Sequence, residues 1–290
     1  MDIQDFIAKH QLPDSYQELI QGFFIPLVSD IASQQKSGNN PIIVAINGAQ
    51  GSGKSTLADL LVLLFNSQHS LNAVALSIDD FYFSQPHRAY LAKTVHPLMV
   101  TRGVPGTHDI ALAISTVVSL IDYTGIVRTP KFNKAIDNPS PEHQYPLIKT
   151  PVDIVILEGW CLGATVQTDE ELAEPVNDLE RNEDTQAIWR HYVNGQLADE
   201  YQTLFNRIDK WIMLKAPSFD CVYQWRLEQE NKLRDKNGDG ESQIMNEESL
   251  KRFVMFYQRI TEHVLKTLPA KVDYLFELDK NRIIQNKALP

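Results

Sequence analysis

Short apolar runs rich in β-branched residues alternate along this chain with longer stretches in which apolar residues recur every three or four positions. Unbroken apolar runs are typical of strands that are buried on both faces of a parallel sheet. The predicted strands of this kind span residues 41–47, 71–78, 152–157, 208–214 and 272–278. Because such strands alternate with helical patterns, we predict an α/β fold of three layers, in which helices cover both faces of a mostly parallel central sheet.

Helical spacing is clearest near the two ends of the chain. Residues 2–35 are predicted to be helical with a break at Pro13, and residues 247–268 to form a long amphipathic helix that ends before Pro269. Residues 1–38 are therefore expected to be an N-terminal helical segment that packs over one end of the sheet. A chain of 290 residues is long enough for one large α/β domain, and we expect a single domain over residues 1–290.

The turn after the first predicted strand carries the most specific motif. Residues 48–55 fit G-x-x-x-x-G-K-[ST], and an apolar helix follows. Glycines in such a loop let backbone N–H groups surround a polyphosphate, and the helix N-terminus adds partial positive charge. Lys54 can reach the β- and γ-phosphates, and Ser55 can offer a hydroxyl to Mg²⁺. The predicted nucleotide-binding residues are Gly48, Ala49, Gln50, Gly51, Ser52, Gly53, Lys54, Ser55 and Thr56.

Two other predicted strands end in carboxylates. Asp79 and Asp80 follow the second strand, and Glu158 follows the strand over 152–157. Ligands of open α/β sheets bind at the carboxyl ends of the strands, where Asp79 could accept the proton of an acceptor hydroxyl. Glu158 fits the Walker B position, which acts on Mg²⁺ directly or through water. The structural alternatives are a local cap for either aspartate and a surface position for Glu158.

The overall charge argues against two classes of partner. A formal net charge of −10 favours neither nucleic acid nor an anionic membrane. Part of this charge lies in an acidic stretch over residues 166–185, which we expect to be a solvated face or a mobile edge.

Cations close to the strand-end carboxylates are candidates for binding an anionic substrate. Arg102 and His108 bracket a turn in which Thr107 is a possible N-cap, and a cation there could hold a substrate carboxylate. Lys131 and Lys134 follow a short predicted strand over residues 126–130 and could form part of an anion cradle. The alternatives are ordinary helix-entry chemistry for the first pair and a solvated loop for the second.

The cellular location is expected to be cytoplasmic. The two cysteines, Cys161 and Cys221, have no metal-binding or redox spacing. The first residues lack the basic and apolar regions of a signal peptide, and no apolar run approaches the roughly 20 residues of a membrane span.

Three further motifs are spaced along the chain: residues 79–82 read D-D-F-Y, residues 102–109 read R-G-V-P-G-T-H-D, and residues 158–160 read E-G-W. These motifs resemble those of the D-glycerate 3-kinase family, within the group of uridine kinase, phosphoribulokinase and pantothenate kinase. The resemblance extends from about residue 41 to the end of the chain. It implies a P-loop NTPase fold with a helical lid over about residues 218–245. It also implies transfer of the γ-phosphoryl group of ATP, with Mg²⁺, to a hydroxyl of D-glycerate.

The resemblance implies roles for individual residues. Asp79 matches the carboxylate that is taken as the catalytic base in this group, and Lys54 and Glu158 match groups that neutralise the phosphates. Arg226, on the predicted lid helix, is the candidate for stabilising the transferring charge, whereas an i,i+4 ion pair with Glu230 is the competing interpretation. The candidates for substrate binding are Asp80, Tyr82, Arg102, His108, Lys131 and Lys134.

The chain also departs from the family pattern. Ala135 stands where the motif has serine, and residues 137–141 read D-N-P-S-P where the plant enzymes have G-x-G-D-R. The acceptor therefore stays open between D-glycerate and pantothenate, uridine or another polyol. An ATP-binding regulatory NTPase without a small acceptor is the alternative of another class, and Asp79 has no obvious task in it. The sequence contains no indication of the oligomeric state.

Overall fold

The computed structural model describes residues 2–38, 40–237 and 247–288. The strands in this part of the chain are β1 (Ile42–Gly48), β2 (Ala73–Ser77), β3 (Gly125–Arg128), β4 (Phe132–Asn133), β5 (Asn138–Pro139), β6 (Leu147–Thr150), β7 (Ile154–Gly159), β8 (Lys210–Lys215), β9 (Tyr274–Leu278) and β10 (Ile284–Ala288). The α-helices are α1 (Ile3–Lys9), α2 (Tyr16–Leu19), α3 (Ile25–Gly38), α4 (Lys54–His69), α5 (Gln85–Thr94), α6 (Ile110–Asp122), α7 (Asp169–Ala173), α8 (Asp178–Glu183), α9 (Ile188–Ala198), α10 (Glu200–Phe205), α11 (Phe219–Asn237) and α12 (Glu247–Thr267).

Among the described residues, six strands form the central sheet in the order β10-β9-β8-β1-β7-β2. The neighbouring pairs from β9 to β2 are parallel, and β10 adds an antiparallel edge. The prediction of a mostly parallel sheet between helices is confirmed, whereas the antiparallel edge strand was not predicted.

The central strand β1 shows why its sequence is apolar throughout. Its side chains alternate between two cores, so that Ile42, Val44 and Ile46 face one core and Ile43 and Ala45 the other. The first core is shared with α1, α3, α4 and α11, and the second with α6, α9, α10 and α12. A strand that is covered on both faces has no solvent-facing position for a polar residue.

Aspartates join the starts of neighbouring strands. Asp153, Asp209 and Asp273 each directly precede a strand and accept a hydrogen bond of 2.7–2.8 Å from a backbone N–H in or next to the neighbouring strand. A charged acceptor strengthens such a bond. These contacts fix the relative register of the strands and therefore align their carboxyl ends.

Two small antiparallel pairs lie outside the main sheet. β3 pairs with β6, and β4 pairs with β5. The segment predicted as a strand over residues 126–130 is therefore part of a separate ribbon rather than of the central sheet.

At the start of α6, the N-cap is Asp109 rather than Thr107, because the Thr107 hydroxyl is buried and donates to the Val104 carbonyl at 2.7 Å.

The prediction of a solvated acidic stretch over residues 166–185 is wrong for two of its acids. Glu180 and Asp184 are each 1% exposed. Glu180 pairs with Arg259 of α12 at 2.6 Å, and Asp184 pairs with Arg190 of α9 at 3.0 Å. Removing one partner of such a buried pair costs about 3–5 kcal/mol, because it leaves an uncompensated charge. These acids therefore anchor helices.

In the same described ranges, no helix combines the length and the apolar character that are needed to cross a bilayer. Helix α11 carries the predicted lid as far as Asn237. The remainder of the predicted lid, to about residue 245, lies outside the described residues.

Candidate active site

The phosphate loop joins β1 to α4, and its conformation depends on glycine. Gly51 and Gly53 have φ angles of +78° and +93°, in the left-handed region that side chains disfavour. A Cβ on Gly51 would lie 2.7 Å from Trp225 Cβ of α11, and one on Gly48 would lie 2.5 Å from Ser52 Oγ. The glycines are therefore required for both the backbone conformation and the close packing of the loop.

Arg282, which follows β9, ties the phosphate loop to helix α11. Arg282 Nε donates to the Gly51 carbonyl at 2.7 Å, and its guanidinium lies 5.1 Å from the ring centre of Trp225. Arg282 Nη1 lies 2.8 Å from a carboxylate oxygen of Glu228 in α11. One arginine thus connects the phosphate loop with the predicted lid helix. The candidate site residues of the sequence did not include it.

A cavity of about 210 Å³ lies next to the phosphate loop. It brings together residues from the loop, the ends of β2 and β7, the segments before α6 and after β4, and helices α11 and α12. The lining consists of Gln50, Gly51, Lys54, Ser55, Asp79, Tyr82, Arg102, Lys134, Glu158, Arg226, Phe253 and Tyr257.

One corner of the cavity has oxygen atoms that suit Mg²⁺. Ser55 Oγ donates to Glu158 Oε1 at 2.9 Å, and Lys54 Nζ lies 3.8 Å from Glu158 Oε2. Glu158 is 6% exposed, and its Oε2 has no hydrogen-bond partner among the residues that the structure describes. A hydroxyl and a buried carboxylate with an unsatisfied oxygen are the hard ligands that Mg²⁺ prefers. The residues present therefore fit this ion.

Asp79 lines the same cavity and is engaged at both carboxylate oxygens. Tyr82 donates its hydroxyl to Oδ1 at 2.9 Å, and Lys134 Nζ donates to Oδ2 at 2.7 Å. Burial alone would raise the pKa of Asp79, but the charges of Lys134 and Lys54 outweigh it and hold this pKa well below its usual value. Asp79 is therefore a carboxylate at neutral pH.

Arg102 lies at the border of this cavity and is held by an aspartate. Asp137 forms ion pairs with both Arg102 and the buried Arg88. The guanidinium of Arg102 also lies 5.6 Å from the ring centre of Phe132, and its backbone carbonyl accepts a hydrogen bond from Tyr257 at 3.3 Å. A second cavity of about 390 Å³ adjoins at this point and shares Arg102, Lys134, Arg226 and Phe253 with the first.

Comparison with known proteins relates this geometry to kinases. No family model matches the chain. "Uncharacterized kinase mug58" of Schizosaccharomyces pombe is 31% identical over 251 residues, which cover 83% of this chain and 87% of that protein. The chloroplastic D-glycerate 3-kinase of Arabidopsis thaliana is 29% identical over 250 residues, 82% of this chain and 51% of that protein. The chain belongs to the D-glycerate 3-kinase family of P-loop kinases.

The fold agrees with this membership. A D-glycerate 3-kinase structure from Cryptococcus neoformans superposes with a TM-score of 0.77 and 23% sequence identity, covering 93% of this chain and 98% of that one. The resemblance of the fold therefore extends over nearly the whole of both chains.

Three of the candidate substrate-binding residues of this family member do not line the cavity. Both oxygens of Asp80 are used, by Lys131 Nζ at 2.5 Å and by the backbone N–H of Phe132 at 3.2 Å. Asp80 and Lys131 therefore brace the β4 segment. The third, His108, is buried behind Tyr82 with ring centres 4.3 Å apart.

His108 is also electrically neutral at physiological pH. Its Nδ1 lies 2.5 Å from the hydroxyl of the buried Tyr201. Burial lowers the pKa of His108 to about 4, although the charge of Asp79 acts in the opposite direction. The uncharged ring of His108 stacks against Tyr82 and does not line the cavity, so direct contact of His108 with a substrate stays a prediction that this geometry does not favour.

The remaining predicted residues lie as follows. Gln50, Gly51, Lys54 and Ser55 are the loop residues in the cavity lining, whereas Gly48, Ala49, Ser52, Gly53 and Thr56 lie outside it. Tyr82, Arg102 and Lys134 also line the cavity, and Arg226 projects from α11 with its guanidinium 5.7 Å from the ring centre of Phe253. The alternative partner of Arg226, the side chain of Glu230, lies outside the described residues.

Two lining residues of α12 were missed by sequence reasoning. Phe253 and Tyr257 were assigned only to the apolar face of an amphipathic helix, yet both line the cavity. Their spacing of four residues places them on one face, as it does for core residues. No local signal distinguishes a cavity-lining aromatic from a core aromatic on such a face.

Proposed function

We propose that this chain transfers the γ-phosphoryl group of ATP to a hydroxyl of D-glycerate, with 3-phosphoglycerate as the product. The observation that carries the proposal is the placement of Asp79 in the same cavity as Lys54 and Ser55, with Arg102 and Lys134 beside it. One cavity thus combines a site for the phosphoryl donor with a carboxylate that can accept a hydrogen bond from a hydroxyl. It also contains cations that can bind an acid group.

The donor side would bind the triphosphate through the main chain. Backbone N–H groups of the phosphate loop and the N-terminus of α4 favour anionic oxygens, and Lys54 adds a full positive charge. Ser55 and Glu158 would hold Mg²⁺, which supplies positive charge to the phosphate oxygens when bound. The same arrangement is compatible with ATP or GTP, and the choice of ATP rests on the family.

Asp79 would orient the acceptor hydroxyl and take up its proton. Phosphoryl transfer passes through a loose transition state, so the attacking oxygen needs positioning more than strong activation. A carboxylate of lowered pKa is ionised when the acceptor arrives, so it can accept the hydroxyl hydrogen bond. It would take up the proton only as the bond between the attacking oxygen and phosphorus forms. Lys134, which now occupies one Asp79 oxygen, has an exposed side chain that can move toward an incoming anion.

Charge on the acceptor side favours an acidic substrate. Arg102, Lys134 and Arg226 all line the cavity. The carboxylates in the same lining are Asp79 and Glu158, and Glu158 lies at the corner that would hold Mg²⁺. Arg226 would neutralise charge on the transferring group once α11 closes over the nucleotide. Uridine has no anionic group to satisfy these cations, whereas glycerate and pantothenate each have a carboxylate.

The test is an ATP-consumption assay with Mg²⁺ and a panel of acceptors: D-glycerate, pantothenate, uridine and ribulose 5-phosphate. We expect D-glycerate to stimulate turnover, with 3-phosphoglycerate identified by phosphorus NMR. The Asp79→Asn variant, purified in parallel, controls for contaminating kinases. The absence of stimulation by D-glycerate, or a stronger response to pantothenate, would overturn the proposed acceptor. ATP hydrolysis that is independent of every acceptor would favour a regulatory NTPase.

A further inference from the structure

We infer that Asp137 is a positioning residue that holds Arg102 as the receptor for the carboxylate of the acceptor. This inference rests on the proposed function. It concerns residues 137–141, where this chain departs from the family pattern. The plant enzymes have an arginine in this segment, and this chain has none. The contacts of Asp137 with Arg88 and Arg102 show which arginines lie next to the segment here.

Ion pairs connect Arg88, Asp137 and Arg102, and we refer to these three residues as the relay. Arg88 is 1% exposed. Its Nε and Nη1 donate to the carbonyls of Phe83 and Val100 at 3.1 and 2.8 Å. Its Nη2 donates to the carbonyl of Asp137 at 2.9 Å and to Asp137 Oδ2 at 2.7 Å. A buried guanidinium requires a compensating charge, so Arg88 fixes the position of Asp137. Asp137 adopts a φ of +53°, a conformation that costs energy for a residue with a side chain and is held here by these bonds.

The relay continues to Arg102. The other carboxylate oxygen of Asp137, Oδ1, accepts a hydrogen bond from Arg102 Nη1. Arg102 Nε and Nη2 donate no hydrogen bond to any residue in the described part of the chain, and the side chain is 26% exposed. A planar guanidinium that is fixed at one nitrogen and open along another edge matches a carboxylate in geometry as well as in charge.

The position of Arg102 defines the acceptor class. Arg102 lines both cavities, whereas Asp79 lines the first and Asp137 the second. A small hydroxy acid can therefore present its hydroxyl to Asp79 and its carboxylate to Arg102. Lys134 is less suited to be the primary receptor, because its ammonium already pairs with Asp79 at 2.7 Å and its side chain is 59% exposed.

The charge of Asp137 has two opposite effects on this receptor. It offsets part of the positive charge of Arg102, which weakens attraction to an anion. Without it, however, buried Arg88 loses its counter-charge and Arg102 loses the contact that directs its guanidinium. Since a directed, hydrogen-bonded pair is stronger than an undirected charge of the same size, we expect loss of Asp137 to weaken acceptor binding.

The test compares KM values for D-glycerate and ATP in the wild type, Arg102→Gln, Asp137→Ala and the double variant. We expect the KM for D-glycerate to rise about 10- to 100-fold in each single variant, the range for loss of a hydrogen bond to a charged group. We expect the KM for ATP to stay within about twofold, since no contact of the relay reaches the phosphate loop. Because Asp137 acts through Arg102, the double variant should be no worse than Arg102→Gln alone.

Two further variants guard against trivial results. Asp137→Glu keeps the carboxylate and should recover part of the affinity for D-glycerate, which also covers the case in which Asp137→Ala does not fold. Asp178→Ala removes an exposed aspartate that pairs with Arg181 outside the cavity and should change neither KM. As a second substrate, the uncharged methyl ester of D-glycerate should show little dependence on Asp137.

The possible outcomes separate the inference from the proposed function. If wild-type protein is not stimulated by D-glycerate, the proposed function fails. If the wild type is active but Asp137→Ala leaves the KM for D-glycerate unchanged, only the inference fails. A rise in both KM values, or an additive loss in the double variant, would assign Asp137 a general structural role instead.

Discussion

The two walls of the cavity are held in place by different interactions. Under the proposed function, the donor wall is the phosphate loop over residues 48–56, a contiguous segment whose shape comes from its own backbone, with glycines at φ angles that other residues disfavour. The acceptor wall would be the opposite set of separate segments, which are joined by charges: Asp79 with Lys134, Asp80 with Lys131, and Asp137 with Arg88 and Arg102. The shape of the loop does not depend on side-chain charges, whereas ion pairs on the other wall can exchange partners for an anionic ligand.

This difference has a consequence for specificity. Every nucleoside triphosphate offers the same phosphates, and a fixed backbone cradle is sufficient to bind them. Acceptors differ in shape and charge, and a wall built of side chains can be changed at one position without refolding the rest. Substitutions at the two walls should therefore have separable effects, which the following predictions test from the largest expected effect to the smallest.

The acceptor wall should be most sensitive at Asp79. Asp79→Asn keeps the size of the side chain but removes the proton acceptor, and we expect acceptor-dependent turnover to fall about 10²- to 10⁴-fold. Nucleotide affinity, measured by fluorescence titration with an ATP analogue, should change little. Asp80→Asn is the matched control, and its effect should be smaller because the Asp80 carboxylate braces Lys131 and the Phe132 backbone. Equal losses in the two variants would contradict the assigned role of Asp79.

The donor wall should be most sensitive at Lys54. Lys54→Met removes the charge that neutralises the phosphates, and we expect kcat/KM for ATP to fall about 10²- to 10³-fold, as for the loss of other electrostatic contacts to a transition state. Unlike changes at Asp137, this loss should be the same for every acceptor. Lys36→Met, at an exposed position in the last turn of α3, is the control. A loss that depended on the acceptor would show that the walls are not separable.

His108, which stacks against Tyr82 of the acceptor wall, should make the stability of the protein depend on pH. The folded protein protonates His108 near pH 4 and the unfolded chain near pH 6.5. The unfolded state therefore binds more protons in this window, so stability is complete above pH 6.5 and decreases as the pH falls toward 4. We expect this group to account for about 2–4 kcal/mol of the free energy of unfolding across the window.

Urea denaturation of His108→Phe at pH 4.5, 5.5 and 7 measures this contribution. The variant should be less dependent on pH than the wild type, even if it is less stable overall because Tyr201 loses a hydrogen-bond partner. His143→Asn, at an exposed histidine, should retain the dependence of the wild type. An unchanged slope in His108→Phe would show that other groups dominate, such as His263, whose pKa is also lowered by burial.

The smallest effect is expected at Arg282, which supports the donor wall from outside. Arg282→Met removes the hydrogen bond to the Gly51 carbonyl and the pair with Glu228, and we expect the KM for ATP to rise about 2- to 10-fold, in line with one intramolecular hydrogen bond. The KM for the acceptor should be unaffected. Arg207→Met, at an exposed arginine, serves as the control. A change confined to the acceptor KM would break the division between the walls.

Local patterns were sufficient to predict the fold and much of the cavity. The α/β architecture follows from the apolar strands, and Lys54, Ser55, Asp79 and Glu158 all line one cavity because carboxyl ends of parallel strands share an edge. These residues are found by their position within a motif or at a strand end. Their roles in catalysis remain predictions that the proposed assays test.

Features that depend on long-range pairing could not be predicted. His108 occupies a conspicuous motif, but its burial depends on Tyr201, which is 93 residues away. Glu180 was grouped with solvated acids because its partner Arg259 is 79 residues away. Phe253 and Tyr257 look like core residues until the partners across the cavity are known. In each case the deciding interaction is absent from the local sequence.

Helix α12 carries both Tyr257, in the cavity lining, and Arg259, in the buried pair with Glu180. Two positions along a helix correspond to a rise of about 3 Å, so the rotation of α12 that satisfies Arg259 also sets where Tyr257 and Phe253 stand. We therefore expect replacements at the buried Glu180–Arg259 pair, which does not line the cavity, to move Phe253 and Tyr257 within it. Libraries that aim at a new acceptor should vary the contact between α8 and α12 together with the cavity itself.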